Sequence, residues 1–395
     1  MPDSIKKSIT IISNSYPSDE MPVNGIFVRD QADWLSKKFE VKVLSPKPKA
    51  PEVLGLINKK WGLYSRIPEK SLNGNYEIYR PEYLTFPKKI FYVRVGKYFA
   101  NAVNKAFDKN TDIVHVHFAY PGGCAVPELK KDYPDIPVVL TVHGNDWYYN
   151  LKDKGIREQI YQNLLFSDRI ITVGKGLQRD IIKKYPEFFE KVKVIPNGIN
   201  ILNSKPLQER IQTFRKKSKL KILMVGSFVE GKGILNLFRA LKESAIKDYE
   251  LIIIGNIIDP SYYRKLLIMR SRLELDNSIR FIHSQPRNSL IQYYQDCDFF
   301  VLPSLREGFG IVLLEAMFYG KPVISTRSGG PDGIVNKKNG ILVPPGDNKE
   351  LAKALKKMEK EYQEYNAIAI HNYIEINYSP EVIVTKLMKV YNEIG

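Results

Sequence analysis

The sequence predicts an α/β protein built from two Rossmann-like, doubly wound domains that face each other across a cleft. Three observations predict it. Short unalternated runs rich in Val and Ile recur along the chain, segments of helix length separate them, and the series restarts near Leu220. Unalternated apolar runs are buried on both faces, as parallel strands covered by helices are. Strand alternating with helix gives a parallel sheet wound on both sides, and the restart gives a second sheet. A length of 395 residues suits two domains of about 150–200 residues each.

In the first half the strand runs are Ile9–Ser13, Val41–Leu44, Ile113–Phe118, Val138–His143, Ile170–Val173 and Val192–Ile195. In the second half they are Lys221–Val225, Leu251–Ile254, Ile279–His283, Phe299–Leu302, Val323–Ser325 and Ile341–Val343. Gly233–Ser244, Tyr262–Leu275 and Gly310–Tyr319 have helix length. Pro196–Lys219 reads as the seam, because Pro-Asn-Gly ends a strand and a polar, basic stretch (Asn203–Lys219) follows. The expected domains are therefore 1–200 and 201–378. The final segment, 379–395, carries a helix pattern over Pro380–Ile394. It follows a completed sheet, so it is expected to cross back to the first domain. Open α/β sheets bind ligands at the carboxyl ends of their strands, which directs attention to the loops after Ser13, His143, Val225 and Leu302.

Composition excludes several classes. Hydrophobic residues at 44% and charged residues at 26% are ordinary for a globular chain and do not describe disorder. Met1–Pro17 lacks a signal-peptide apolar stretch, and no run reaches the roughly 20 apolar residues that span a bilayer. Cys124 and Cys297 make no disulfide framework and no zinc spacing, so a cytoplasmic setting is expected. The net charge of +17 suits polyanionic partners, whether nucleic acid, anionic lipid or phosphorylated substrate. Its N-terminal share sits in Ser36–Lys109, with 16 Lys/Arg against 6 Asp/Glu. There Phe91, Val95, Tyr98/Phe99, Ala102 and Ala106 recur at helical spacing, while Arg94, Lys97, Asn101 and Lys105 share another face. Such a helix either packs on a core with a solvated basic face or lies on an anionic membrane, here the inner membrane surface.

The chemistry-bearing segment is Ser304-Leu-Arg-Glu307-Gly308-Phe309-Gly310-Ile311-Val-Leu-Leu-Glu315. It follows a strand and opens a helix. Gly308 and Gly310 bare the backbone, and the amides around Phe309–Ile311 lie at a helix start, which favours an anion such as a diphosphate. Glu307 and Glu315 can accept hydroxyl hydrogen bonds, or else Glu307 faces solvent and Glu315 keeps a local partner. Gly226-Ser227-Phe-Val-Glu-Gly-Lys232-Gly nearly spells a P-loop, but Gly233 stands where a magnesium-binding hydroxyl is required. Asp296-Cys-Asp298 bridges a helix pattern and a buried strand, a position suited to capping and not to a metal. His143-Gly-Asn-Asp146 closes a strand at its carboxyl end, and Gly25 lies between the first strand and the first helix, as a ligand loop or a plain turn.

The run from Glu307 to Glu315 resembles the Glu-x7-Glu signature of retaining glycosyltransferases of the GT-B fold, family 4. Asp298-Phe-Phe-Val-Leu-Pro-Ser304, Gly320-Lys-Pro-Val-Ile, Ser328-Gly-Gly, Asn339-Gly-Ile-Leu-Val-Pro-Pro and Ile195-Pro-Asn-Gly-Ile are similar to that family's other motifs. The resemblance implies transfer from a UDP- or GDP-linked sugar, bound by 201–378, to a glycan or lipid-linked acceptor on the side of 1–200, with no metal and no other cofactor. It implies that Glu307 binds donor-sugar hydroxyls, the Phe309–Ile311 backbone binds phosphate, and Glu315 binds ribose. It further implies that Lys232 neutralises the departing diphosphate and His143 contacts the transferred sugar. Gly25 would lie by the donor phosphate or acceptor, with His143 and Asp146 on the acceptor side, Gly226 and Ser227 on the donor side, and the nucleobase near Ile282–Ser284. Ser227 departs from the pattern, since many relatives place a diphosphate-binding arginine there. Two rivals remain. A nucleotide-sugar 2-epimerase shares the architecture, and a non-enzymatic polyanion binder would use the basic window, although no RNA-stacking motif supports nucleic acid.

Overall fold

The computed structural model describes residues 6–49, 59–85, 91–200 and 219–395. The chain divides into two compact units. One holds the residues up to Val173, Leu177–Gly198 and Pro380–Gly395; the other holds Gly174–Gly176 and Ile199–Ser379. Apart from Lys219, the polar seam segment lies outside the described residues.

The first unit contains β1 (Ser8–Ser13), β2 (Glu40–Leu44), β3 (Lys47–Pro48), β4 (Lys70–Asn73) and β5 (Tyr76–Tyr79). It continues with β6 (Glu82–Tyr83), β7 (Ile113–His117), β8 (Val138–Val142), β9 (Arg169–Thr172) and β10 (Val192–Val194). Eight of these form one sheet, ordered β10-β9-β8-β7-β1-β2-β5-β4, with β4 alone antiparallel to its neighbour. β3 and β6 pair separately. Ile9, Ile11 and Ile12 of β1, like Val139 and Leu140 of β8, are all buried, so neither strand shows a solvated alternate face. The helix Pro380–Asn392 contributes Ile383, Leu387 and Tyr391 to the same core as Ile11, Val28 and Leu35.

All six strand runs expected of this half appear, and β3 to β6 are additions within the basic window. The basic helix spans Tyr92–Ala106 and buries Val95, Phe99 and Ala102, while Arg94, Lys97, Asn101 and Lys105 are exposed. Phe91 does not belong to its apolar face. It caps the helix at φ +54, outside the helical repeat, and is 56% exposed.

The second unit contains β11 (Leu220–Val225), β12 (Tyr249–Gly255), β13 (Ile279–His283), β14 (Phe299–Leu302), β15 (Val323–Thr326) and β16 (Gly340–Val343). These are the six expected runs. They form one parallel sheet ordered β13-β12-β11-β14-β15-β16. The chain winds outward from β11 to β13, then returns to β14 and winds the other way. The crevice at that reversal, at the carboxyl ends of β11 and β14, is where such sheets bind ligands. In the first unit the reversal falls between β1 and β7. Among the described residues, no helix is long and apolar enough to cross a membrane.

Candidate functional site

At the second unit's reversal two loops are stitched together. After β11 come Gly226, Ser227 and a single turn, Glu230–Lys232, before Gly233 starts the helix Ile234–Ser244 at φ +67. A Cβ on Gly233 would stand 2.0 Å from the Pro303 carbonyl oxygen, so only glycine allows the loop after β14 to press this close. The Leu305 amide donates to the Gly231 carbonyl at 2.8 Å.

Across that stitch Lys232 Nζ donates to Glu307 Oε2 at 2.6 Å, and Ser304 Oγ donates to the same oxygen at 3.0 Å. The Glu307 backbone is fixed on both sides. Its amide donates to Ser328 O at 3.0 Å, and the Gly330 amide donates to its carbonyl at 2.8 Å. The two side chains are 25% and 11% exposed, so the pair is partly screened from water and still open to exchange. Gly308 and Phe309 are buried, and Gly310 at φ +90 begins the helix Ile311–Phe318. No side chain caps that helix, and its first amides carry the positive end of the helix dipole. Glu315, one turn on, is held elsewhere. Tyr294 OH donates to its Oε2 at 2.7 Å, and Arg287 Nη2 lies 3.3 Å from its Oε1. The structure thus joins Lys232 to Glu307 and gives Glu315 a separate clamp. Ser304 lay next to the signature; Tyr294 and Arg287 carried no signal in the sequence.

Both carboxylates of Asp296-Cys-Asp298 accept hydrogen bonds from the chain. Asp298 accepts from the Lys221 amide at 2.7 Å and Asp296 from Gln292 at 3.0 Å.

The first unit gathers the other expected residues. His143 follows β8, and its Nε2 lies 3.1 Å from His117 Nδ1 with the rings stacked. His117 stacks in turn on His115, whose Nδ1 and Nε2 each lie 2.7 Å from Tyr391 OH and Thr141 Oγ1 respectively. Burial, with the His115 imidazole adding to it, lowers His143 to about 3. The ring is therefore neutral near pH 7 and serves as a hydrogen-bonding group, not a standing cation. Its Nδ1 is buried without a partner among the described residues. Phe27 and Phe118 flank it, each ring 4.7 Å from its own.

Asp146 is turned inward. Its Oδ2 accepts from the Ala119 amide at 2.5 Å and its Oδ1 from the His143 amide at 3.0 Å, while burial pushes the carboxyl up to about 6. It ties the loop after β8 to the loop after β7, and so places His143. Gly25 starts the helix Ile26–Leu35 at φ +67, and a Cβ there would stand 2.1 Å from Ser15 O. The loop after β1 is thereby folded onto the helix start. His115, His117, Phe27 and Phe118 were not singled out from the sequence.

Residues 25–201 match the family model Glycosyltransferase Family 4, and residues 207–373 match Glycosyl transferases group 1. The chain is 28% identical over 360 residues to a Bacillus subtilis protein assigned to teichuronic acid biosynthesis as a glycosyltransferase (TuaC), covering 89% of this chain and 88% of that one. It is 30% identical over 303 residues to an uncharacterized glycosyltransferase of Methanocaldococcus jannaschii, covering 72% and 76%. Among solved structures, Anabaena HepE in complex with UDP-glucose is similar with a TM-score of 0.71 at 18% identity, covering 98% of this chain and 99% of that one. At that identity the likeness is one of fold.

Proposed function

Because the chain belongs to the family 4 glycosyltransferases of the GT-B fold, we propose that it transfers a sugar, with retention of configuration, from a UDP- or GDP-linked donor to a glycan or lipid-linked acceptor. The observation that carries this reading is the Lys232–Glu307 pair at the reversal of the second sheet, beside the uncapped start of Ile311–Phe318. A diphosphate entering there competes with Glu307 for Lys232. Lys232 then pairs with phosphate, and the Glu307 carboxylate is released to accept from sugar hydroxyls. The amides around Phe309–Ile311 hold the remaining phosphate charge. Glu315, oriented by Tyr294 and Arg287, accepts from the ribose. HepE in complex with UDP-glucose supports a nucleotide-sugar donor on this fold.

Charge develops on the diphosphate as the glycosidic bond breaks. Lys232, once drawn from Glu307, and the helix start stabilise that charge, and such electrostatic donors are the largest single source of rate in many enzymes. Ser227 supplies a hydroxyl where an arginine would add charge, so Lys232 is the one basic side chain assigned to the leaving group. No step is routed through a metal. The departing phosphate takes the acceptor hydroxyl proton on the face it leaves, which retains configuration. Neutral His143 offers one hydrogen bond to the transferred sugar, and the acceptor is held by the first unit. Two free buried cysteines suit a cytoplasmic enzyme.

The test follows nucleoside diphosphate release from UDP- and GDP-sugars. Lys232→Ala and Glu307→Ala should each lower it about tenfold or more with the melting temperature held. Wild-type rates in both variants would overturn the assignment. A product whose anomeric proton coupling shows inversion would overturn retention alone.

A further inference from the structure

The carboxyl end of the first unit's sheet carries a cavity of about 200 Å³ that none of the roles above uses. Tyr16, Ser18 and Asp19 from the loop after β1, Arg29 from the helix Ile26–Leu35, Ser71 from β4 and Arg80 just after β5 all line it. It holds several times the roughly 30 Å³ that one water occupies in the liquid, so a polar substituent fits.

Its two guanidinium groups are unusual in their company. Arg80 is 4% exposed, yet its donors go to neutral oxygens: Nη2 to Pro17 O at 3.0 Å and Nη1 to Ser71 Oγ at 2.7 Å. No carboxylate lies within ion-pair distance of it among the described residues, and Asp19 acts on it only from farther off. A buried cation lacking a counter-charge is costly to keep, and an incoming anion offsets that cost. The Arg29 side chain makes no hydrogen bond or ion pair among the described residues, and its charge reaches Asp33 only at longer range.

The nearby carboxylates are largely committed. Asp33, whose charge reaches Arg29, has its Oδ1 taken by Tyr76 OH at 2.6 Å and Asn73 Nδ2 at 2.7 Å. Glu20 is held in two contacts of 3.0 Å by Arg66. Asp19 is exposed and is the one carboxylate in the lining. Two planar forks facing one cavity are the geometry that recognises a phosphate or carboxylate by paired hydrogen bonds.

We propose that this cavity is an acceptor subsite that selects an anionic sugar, its Arg29 and Arg80 gripping a phosphate or carboxylate substituent. The proposal rests on the transferase reading for the word acceptor, and on the cavity alone for the anion. It also gives the β4–β5 ribbon and its share of the basic window a task.

The experiment titrates the full chain by calorimetry with glucose, glucuronic acid and glucose 6-phosphate. At least one charged sugar should bind about tenfold or more tightly than glucose, and the arm that does so tells carboxylate from phosphate. Arg29→Gln should remove most of that preference. Arg80→Lys, which keeps the charge without the fork, should weaken it in a folded protein. Glucose binding as well as both charged sugars, or an unchanged preference in Arg29→Gln, overturns the subsite. UDP titrated into the same samples reports on the donor site separately. UDP binding that persists while the anion preference is absent overturns this subsite alone.

Discussion

Glu307 and Lys232 neutralise each other at 2.6 Å, and that pairing makes their roles separable. In Glu307→Gln the lysine keeps its charge and loses its internal partner. UDP or GDP should therefore bind several-fold more tightly to that variant, while turnover falls about tenfold or more because the sugar loses a charged acceptor. Equal or weaker nucleotide binding by calorimetry would show that the pair does not gate the site. Glu307, Glu315 and Lys232 were singled out because glycines and charges follow buried strands there and the run from Glu307 to Glu315 resembles a family signature. The partners of Glu315 were not, since Tyr294 and Arg287 belong to a different helix and nothing local marks them. His115 and His117 sat in plain view within Ile113–Phe118, read only as a strand. Residues two apart on a strand share a face, so their stacking at 4.4 Å was implicit in the pleat. What the sequence could not show was Tyr391, 276 residues away, closing on His115.

At the scale of elements, Gly233 joins strand, loop and helix in the second unit. Gly233→Ala forces a left-handed φ on a residue with a Cβ and drives that Cβ into Pro303 O. It should cost about 2 kcal/mol or more and weaken nucleotide binding. An unchanged melt with unchanged nucleotide affinity would show that the two loops are not pressed together as described. Strands such as Ser8–Ser13 and Phe299–Leu302 were readable because burial on both faces leaves continuous apolar runs, and the part-exposed Ile279–His283 was readable from its short apolar run alone. The β4–β5 ribbon was not. Lys70–Asn73 alternates between exposed and half-buried positions at the sheet edge, and Tyr76–Tyr79 is too short to stand out from a basic stretch. Phe91 shows the opposite error, a periodic match that extends back beyond the point where the helix starts.

At the scale of the whole molecule, the first unit is completed by the chain's last helix and keeps its histidines neutral. His115 and His143 are lowered to about 3 by burial, and His117 is held well below its ordinary value. The unfolded chain takes up those protons near pH 6.5 and the folded one does not, so this stability is whole above about 6.5 and is lost as pH falls toward about 3. Asp146, raised to about 6, runs the other way: its contribution is whole below about 3.8 and is lost as pH rises through about 6. Three groups outweigh one, so the melting temperature should fall from pH 7 to pH 4.5. A flat or rising profile would contradict the buried stack. The most direct test of the proposed donor site is calorimetric titration of UDP, GDP and their glucose and mannose conjugates into the full chain and into Lys232→Ala. One nucleotide should bind selectively, and the variant should bind it about tenfold more weakly. No binding up to about 1 mM, or equal binding by both proteins, would contradict a diphosphate held by Lys232 at the reversal of the second sheet.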